Sequence, residues 1–282
     1  MSLRIDAHHH FWHLAARVGH WPPARLEAIY RDFGPADFEP LLEQCGIDGT
    51  VLVQSLPDSK DTGFLLELAT GHSFIRGAVG WADLKAPDAP QTIDALACHP
   101  KLKALRPMLQ DLADDNWIDD PALRPAITAM LANDLAFDAL VVPRQLPGLV
   151  AFARRYPGLR IVIDHAAKPL IAIRQLEPWR SAMDDLAKLE NVHCKLSGLW
   201  TEAPPHTDAA AFDPYVETLF RLFGTRRLLW GSDWPVLRLA SGFGDYAGWL
   251  AACETYCERF ARGEDKDAVF GGNAYRFYRL EE

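Results

Sequence analysis

Three short stretches of the chain put titratable side chains where chemistry can use them. Asp6-Ala7-His8-His9-His10 lies in an apolar N-terminal segment, Ile163-Asp164-His165 ends one apolar run, and Trp230-Gly231-Ser232-Asp233-Trp234-Pro235 ends another. Strand side chains alternate between faces, so Asp6, His8 and His10 are expected on one side, and Ile5, Ala7, His9 and Phe11 on the other. Two imidazoles at that spacing suit a divalent metal or a pair of donors aimed at a substrate carbonyl. Asp6, below them, either orients one imidazole or satisfies backbone donors. His165 emerges at the level expected for His8 and His10, and alternation sends Asp164 outward. Asp233 stands where Gly231 and Pro235 end a buried strand. It suits a general base for water or, with histidines nearby, a metal ligand.

Other candidates surround these. Arg106, in Leu105-Arg106-Pro107, has a planar fork for a carboxylate or oxyanion, with a salt bridge inside the protein as its alternative use. Lys168 is a loop cation that could hold the same kind of group, or stay solvated. Trp12, Trp81, Trp200 and Trp234 are expected around one mouth, stacked on a flat ligand or plugging it. His13, His20, His72, His99, His193 and His206 are assigned to loops, helices or the outer face. No G-x-S-x-G, P-loop or G-x-G-x-x-G occurs, so serine-triad and phosphate-cradle chemistry have no support.

The elements that must position these groups are legible as eight strand-like segments: Leu3–Phe11, Gly49–Ser55, Ile75–Leu84, Leu102–Leu109, Ala136–Pro143, Leu159–Lys168, Asn191–Leu199 and Leu228–Pro235. Helix-compatible stretches separate most of them, among them Pro35–Cys45, Asp61–Gly71, Pro121–Asn133, Pro147–Tyr156, Pro178–Leu189 and Asp213–Phe223. Several open with Asp or Pro, as helix N-termini do. Eight strands alternating with helices predict an α/β protein, a (β/α)₈ TIM barrel filling residues 1–282 as one domain. The strand ends carry His8 and His10, Gln54, Trp81 and Asp83, Arg106, Arg144, His165 and Lys168, Trp200, and Asp233. Barrel enzymes place their chemistry at that rim.

Composition narrows the classes. The 282 residues carry 29 Lys+Arg and 38 Asp+Glu, a net charge of −9 without a basic block, which argues against nucleic acid or an anionic membrane as partner. No apolar run approaches the roughly 20 residues that span a bilayer, and the first residues lack the apolar core of a signal peptide. Cys45, Cys98, Cys194, Cys253 and Cys257 are scattered and odd in number, so they read as reduced thiols of a cytoplasmic protein. Cys253 and Cys257, four apart on a helix, could share a face, but no further ligand stands at zinc-site spacing.

Asp-Ala-His-x-His-Phe-Trp at 6–12, Asp-His-x-x-Lys-Pro at 164–169 and Gly-Ser-Asp-Trp-Pro at 231–235 resemble the amidohydrolase superfamily. Within it they are similar to the amidohydrolase-2 branch of sugar-lactone hydrolases, the L-fuconolactonase and L-rhamnonolactonase kind. Further similar stretches run from Arg31-Asp32-Phe33 to Asn273–Leu280. The resemblance implies the (β/α)₈ fold and a hydrolase of carbohydrate metabolism that opens a small lactone. In it Asp233 would activate water, while His8, His10 and His165, with or without one Zn²⁺ held by these residues and Asp233, would polarise the carbonyl. Arg106, Lys168, Trp12, Trp81, Trp200 and Trp234 would position the ring. The chain departs from the superfamily's two-metal pattern, because the fifth strand offers Val141, Val142 and Arg144 but no histidine, and His9 stands where relatives often carry Gln. The alternatives are a zinc-dependent decarboxylase or amide hydrolase on the same barrel, and a non-catalytic sugar-acid binding protein.

Overall fold

The computed structural model describes residues 3–240, 244–261 and 266–281. Eight parallel strands follow one another around a single sheet: β1 (Ile5–His9), β2 (Gly49–Val53), β3 (Ile75–Gly80), β4 (Leu102–Leu105), β5 (Ala136–Ala139), β6 (Ile161–Ile163), β7 (Val192–Leu196) and β8 (Leu228–Trp230). The ends meet where Asp233 N donates to His8 O at 2.8 Å and His10 N to Trp234 O at 2.7 Å, which closes the barrel. Around it run α1 (Pro35–Cys45), α2 (Ser59–Gly71), α3 (Ala89–Ala97), α4 (Arg124–Ala132), α5 (Leu146–Arg155), α6 (Trp179–Ala187), α7 (Asp213–Phe223), α8 (Tyr246–Phe260) and α9 (Asn273–Tyr278). The architecture is the expected (β/α)₈ barrel.

Local rules explain the helix ends. Pro35, Pro90 and Pro214 occupy first-turn positions, where the missing N–H costs nothing. Asp58 and Asp245 cap α2 and α8, accepting from Lys60 N and Gly248 N. The helices α3 and α9 were not among the expected stretches. With six residues, α9 is too short for helical periodicity to stand out.

The apolar core has two compartments. One lies between sheet and helices. The other fills the lower barrel with Ile5, Ala7, Val51, Val53, Val79, Ala104, Ala136, Val162 and Leu229, closed from below by Phe277 and Tyr278 of α9. Chemistry is therefore confined to the upper barrel.

Strand β1 departs from simple alternation. Asp6 pairs with Thr50, but His9 pairs with Leu52, so three steps on β1 match two on β2. This bulge puts one extra residue into the strand. Ile5 and Ala7 face the barrel interior with His8, and Asp6 faces outward, where its carboxylate accepts from Tyr246 OH of α8 at 3.1 Å. The expectation that Asp6, His8 and His10 share one face is corrected accordingly.

Candidate active site

A cavity of about 730 Å³ opens at the C-terminal ends of the strands, and His10, Arg106, His165, Lys168 and Asp233 line it. His8 lies one layer deeper, with no exposed surface.

His8 and Gly231 fit closely. A Cβ on Gly231 would stand 2.7 Å from His8 Cβ, so the residue after β8 must be glycine for His8 to lie where it does. Asp6 ties the same two segments together by accepting from the backbone N–H of His8 at 3.1 Å and of Ser232 at 2.9 Å. Burial pushes its carboxyl up to about 6. Of the two readings open for Asp6, satisfying backbone donors is the one realised.

On β6 the parity is the reverse of that expected. Val162 points into the barrel, so Asp164, two residues on, does too. It pairs with Lys195 Nζ at 2.9 Å and Arg106 Nη1 at 3.1 Å. His165 ought then to face outward. It does not, because four consecutive residues, His165 to Lys168, have left-handed backbone with φ between 50° and 58°. Such residues cost about 1–2 kcal/mol each outside glycine. The turn is held by Trp179 Nε1 donating to Ala166 O at 2.7 Å and by the His165 Nδ1–Ser197 Oγ contact at 2.9 Å. It swings His165 back over the barrel mouth. Gly198 makes the room, since a Cβ there would lie 2.5 Å from His165 Nδ1.

The imidazoles and Asp233 converge. Asp233 Oδ1 lies 3.4 Å from His10 Nε2 and 3.8 Å from both His8 Nε2 and His165 Nε2. Burial alone would raise the Asp233 carboxyl, but His165, His10 and Lys168 outweigh it and hold the group below its ordinary value. It is a carboxylate at neutral pH. Burial lowers His165 to about 4, and burial with Lys195 puts His8 well below its usual range, so both rings are neutral there.

One ligand atom each from His8, His165 and Asp233 lie within 4.8 Å of one another. Zinc bonds of about 2.0–2.1 Å place tetrahedral ligands about 3.4 Å apart, so the two pairs with Asp233, at 3.8 Å, are near that spacing and the two imidazoles must close up for the set to hold a single ion. It requires a lone pair at His8 Nε2. Among the described residues no cysteine belongs to such a group, and all five cysteines are free.

The remaining candidates divide. Arg106 and Lys168 line the cavity, but both already hold partners, Asp164 for Arg106 and Glu202, at 2.9 Å, for Lys168. Trp81 lines the cavity. Trp12, Trp200 and Trp234 do not. Trp12 packs on Phe33, Trp200 on Trp249, and Trp234 stacks on Phe38 at 4.5 Å, all buried in the shell between sheet and helices. His9 packs on Phe38 in that shell too, as alternation implies. Trp21 and Trp117 supply aromatic wall that sequence reading missed, and His20, expected on a loop or outer surface, reaches the cavity as well. The loop after β1 that carries His20 and Trp21 is pinned by Arg17, buried and donating to Asp61 at 2.7 Å and Ser55 at 2.9 Å.

Two further charges were missed, Asp138 on β5 and Lys195 on β7, both fully buried. The signal was present. Val192, Cys194 and Leu196 alternate with His193, Lys195 and Ser197. Polar residues recurring on one face of a strand that is covered on both sides have only the barrel interior to face.

Comparison with known proteins bears on this arrangement. The sequence model of the amidohydrolase family matches residues 5–280. An L-fucono-1,5-lactonase of Burkholderia ambifaria is 62% identical over 281 residues, spanning 100% of this chain and 97% of that one. An L-fucono-1,5-lactonase of Burkholderia multivorans is 36% identical over 292 residues, with the same coverage. A crystal structure of a Burkholderia multivorans amidohydrolase with bound zinc superposes with a TM-score of 0.91 at 36% identity, covering 99% of this chain and 100% of that one.

Proposed function

The chain belongs to the amidohydrolase family, and from that premise we propose that it opens the ring of a neutral, hydroxylated sugar lactone of the L-fucono-1,5-lactone type. It is a lactone-hydrolysing enzyme, akin over its whole length to two L-fucono-1,5-lactonases. The decarboxylase, amide-hydrolase and binding-protein readings are not favoured.

The observation that carries the chemistry is Asp233, an ionised carboxylate at the cavity floor with the neutral imidazoles of His8 and His165 beside it. Asp233 takes a proton from water as the oxygen attacks the lactone carbonyl. His165 and Arg106, which face the cavity, and His8 and His10 beneath and beside Asp233 set the polar environment in which negative charge grows on that carbonyl oxygen. The ring oxygen leaves and receives the proton back from Asp233. A single zinc ion, as in the Burkholderia multivorans relative, would be held by His8, His165 and Asp233 and would act as a Lewis acid toward the carbonyl. The cavity's charge speaks for a neutral ring. Asp83, Asp111 and Glu202 line it, and both lining cations are already paired. Carboxylates and indoles suit hydroxyls and a sugar ring, and Trp81, Trp21 and Trp117 supply the flat walls. Five free thiols suit a reducing compartment, so the work is assigned to the cytoplasm. No helix among the described residues is long and apolar enough to cross a membrane.

A pH-indicator screen of aldonolactones and carboxylated lactones, with and without chelator, tests the reading. Neutral sugar lactones should turn over and carboxylated ones should not. Preference for a carboxylated lactone would overturn it, as would near wild-type turnover by Asp233→Asn.

A further inference from the structure

Beneath the site lies a cation that the reaction scheme leaves unused. Lys195 has no exposed surface, and its Nζ lies 2.6 Å from Asp138 Oδ2, 2.9 Å from Asp164 Oδ1 and 3.0 Å from His8 Nδ1. An ammonium carries three protons and no lone pair. Lys195 Nζ donates hydrogen bonds to Asp138 Oδ2 and His8 Nδ1 and pairs ionically with Asp164 Oδ1, so His8 Nδ1 accepts. A neutral imidazole that accepts at Nδ1 carries its own proton at Nε2. That nitrogen is 3.1 Å from His10 Nε2, and the Arg106 Nη1 contact to it, at 3.4 Å, is longer than both the Lys195 bond to Nδ1 and the bond Arg106 Nη1 makes to Asp164 Oδ2 at 3.1 Å. His10 is fixed in the complementary sense, because its Nδ1 stands 2.7 Å from the Val53 carbonyl, which can only accept. In the tautomer with its one proton at Nδ1, His10 presents the Nε2 lone pair to His8. The hydrogen bonds run in one direction, from Lys195 through His8 and His10 to the β2 backbone.

We infer that Lys195 is a positioning residue: clamped between Asp138 and Asp164, it holds His8 as the Nε2–H tautomer and so aims a fixed donor at the catalytic cluster. The clamp is charge-balanced, with Asp138 and Asp164 against Lys195 and Arg106. It is anchored to the barrel floor through Tyr278 OH, which donates to Asp138 Oδ2 at 2.7 Å. The same contact sets a condition on metal binding. His8 ligates through Nε2 only if its proton moves to Nδ1, which surrenders the Lys195 bond and leaves Asp164 Oδ1, 3.5 Å away, as acceptor. The tautomer stands whatever ring is opened, whereas its effect on turnover rests on the lactonase reading.

The test uses the full chain labelled with ¹⁵N-histidine, with His8→Gln to identify the His8 signals in two-bond ¹H–¹⁵N spectra at neutral pH. Wild type should show His8 protonated at Nε2 and unprotonated at Nδ1. The double variant Lys195→Met/Asp138→Asn removes one charge of each sign. In it His8 should populate the Nδ1–H form, kcat should fall about 10–100-fold with KM little changed, and zinc titrated calorimetrically should bind about tenfold tighter. An Nδ1–H form in wild type overturns the inference, as does an unchanged His8 spectrum in a folded double variant. Where the double variant fails to fold, the wild-type spectrum decides alone. An Nε2–H His8 in a protein that opens no lactone upholds the tautomer and ends the lactonase reading instead.

Discussion

Two polar layers cross the upper barrel, one above the other, and they differ in how tightly each charge is held. In the lower layer Asp138, Asp164, Lys195 and Arg106 are matched by opposite charges at 2.6–3.1 Å, and all are almost or fully sealed from solvent. In the upper layer the distances from Asp233 to the three imidazoles are 3.4–3.8 Å, and the group opens onto the cavity. Short ion pairs sealed from solvent fix geometry and meet no substrate. The upper spacing is too long for good hydrogen bonds, so Asp233 keeps lone pairs for a water or a lactone. The lower layer determines orientation and the upper layer does chemistry. Substitutions should therefore fail in opposite ways in the two.

The largest contrast is between Asp233→Asn and Lys195→Met. The amide that replaces the Asp233 carboxylate is near-isosteric with it but is no base, so kcat should fall by about 10²–10⁴ while the unfolding midpoint stays close to wild type. Lys195→Met leaves two carboxylates in the barrel with only Arg106 between them. Removing one partner of a buried pair costs about 3–5 kcal/mol, which urea denaturation would read as a clear drop in midpoint. The Lys195→Met/Asp138→Asn protein should recover a good part of that loss, because its remaining charges balance. A single variant as stable as wild type would mean that the lower layer is not an obligatory pairing.

Gly198→Ala comes next and strikes the upper layer from behind. The new methyl would meet the His165 ring at 2.5 Å, on a residue whose φ of 63° already disfavours a side chain. Displacing a catalytic group by about 1 Å can cost about 10²-fold in rate. Steady-state hydrolysis should show the loss mainly in kcat/KM, and an unimpaired Gly198→Ala would remove His165 from the reacting group.

These two layers also divide what sequence reading reaches. The eight strands are legible because parallel strands covered on both faces read as bounded apolar runs. His8, His10, His165 and Asp233 are legible as residue types at strand ends. Orientation is not. The β1 bulge separates Asp6 from His8, and the left-handed run after β6 brings both Asp164 and His165 inward, where alternation allows only one. Neither device has a glycine to mark it. Of the expected tryptophans Trp81, just after β3, lines the cavity while Trp12, Trp200 and Trp234 pack into the shell, and Trp21 and Trp117 reach the cavity on loops, whose paths depend on tertiary pairs such as Arg17–Asp61. Asp138 and Lys195 were readable in principle, as charges inside strands with no solvent to face.

The smallest effect concerns acid, and it separates the site from the barrel floor. His193, at the lower end of β7 against Phe277, is held down to about 4 by burial and then by Arg227, Arg160 and Arg276. The unfolded chain binds a proton there below about 6.5, and the folded protein does not until about 4. Between those values the unfolded state holds more protons, so stability falls as pH falls. From pH 7 to pH 5 this one group removes up to about 2 kcal/mol. Asp6 works the other way, because its raised value of about 6 lets the folded state keep a proton the unfolded chain has lost, which offsets part of the acid loss. Asp164, held well below its ordinary range once Lys195 outweighs burial, keeps its contribution throughout this window and yields it only below about pH 4. His193→Gln, measured by urea denaturation at pH 7 and pH 5, should thus lose less stability on acidification than wild type by about 2 kcal/mol. The choice of His193 matters, since it lies outside the Asp233 cluster and a metal bound at the mouth would leave its titration alone. An equal acid loss in both proteins would mean that the floor is wetter than its packing against Phe277 implies.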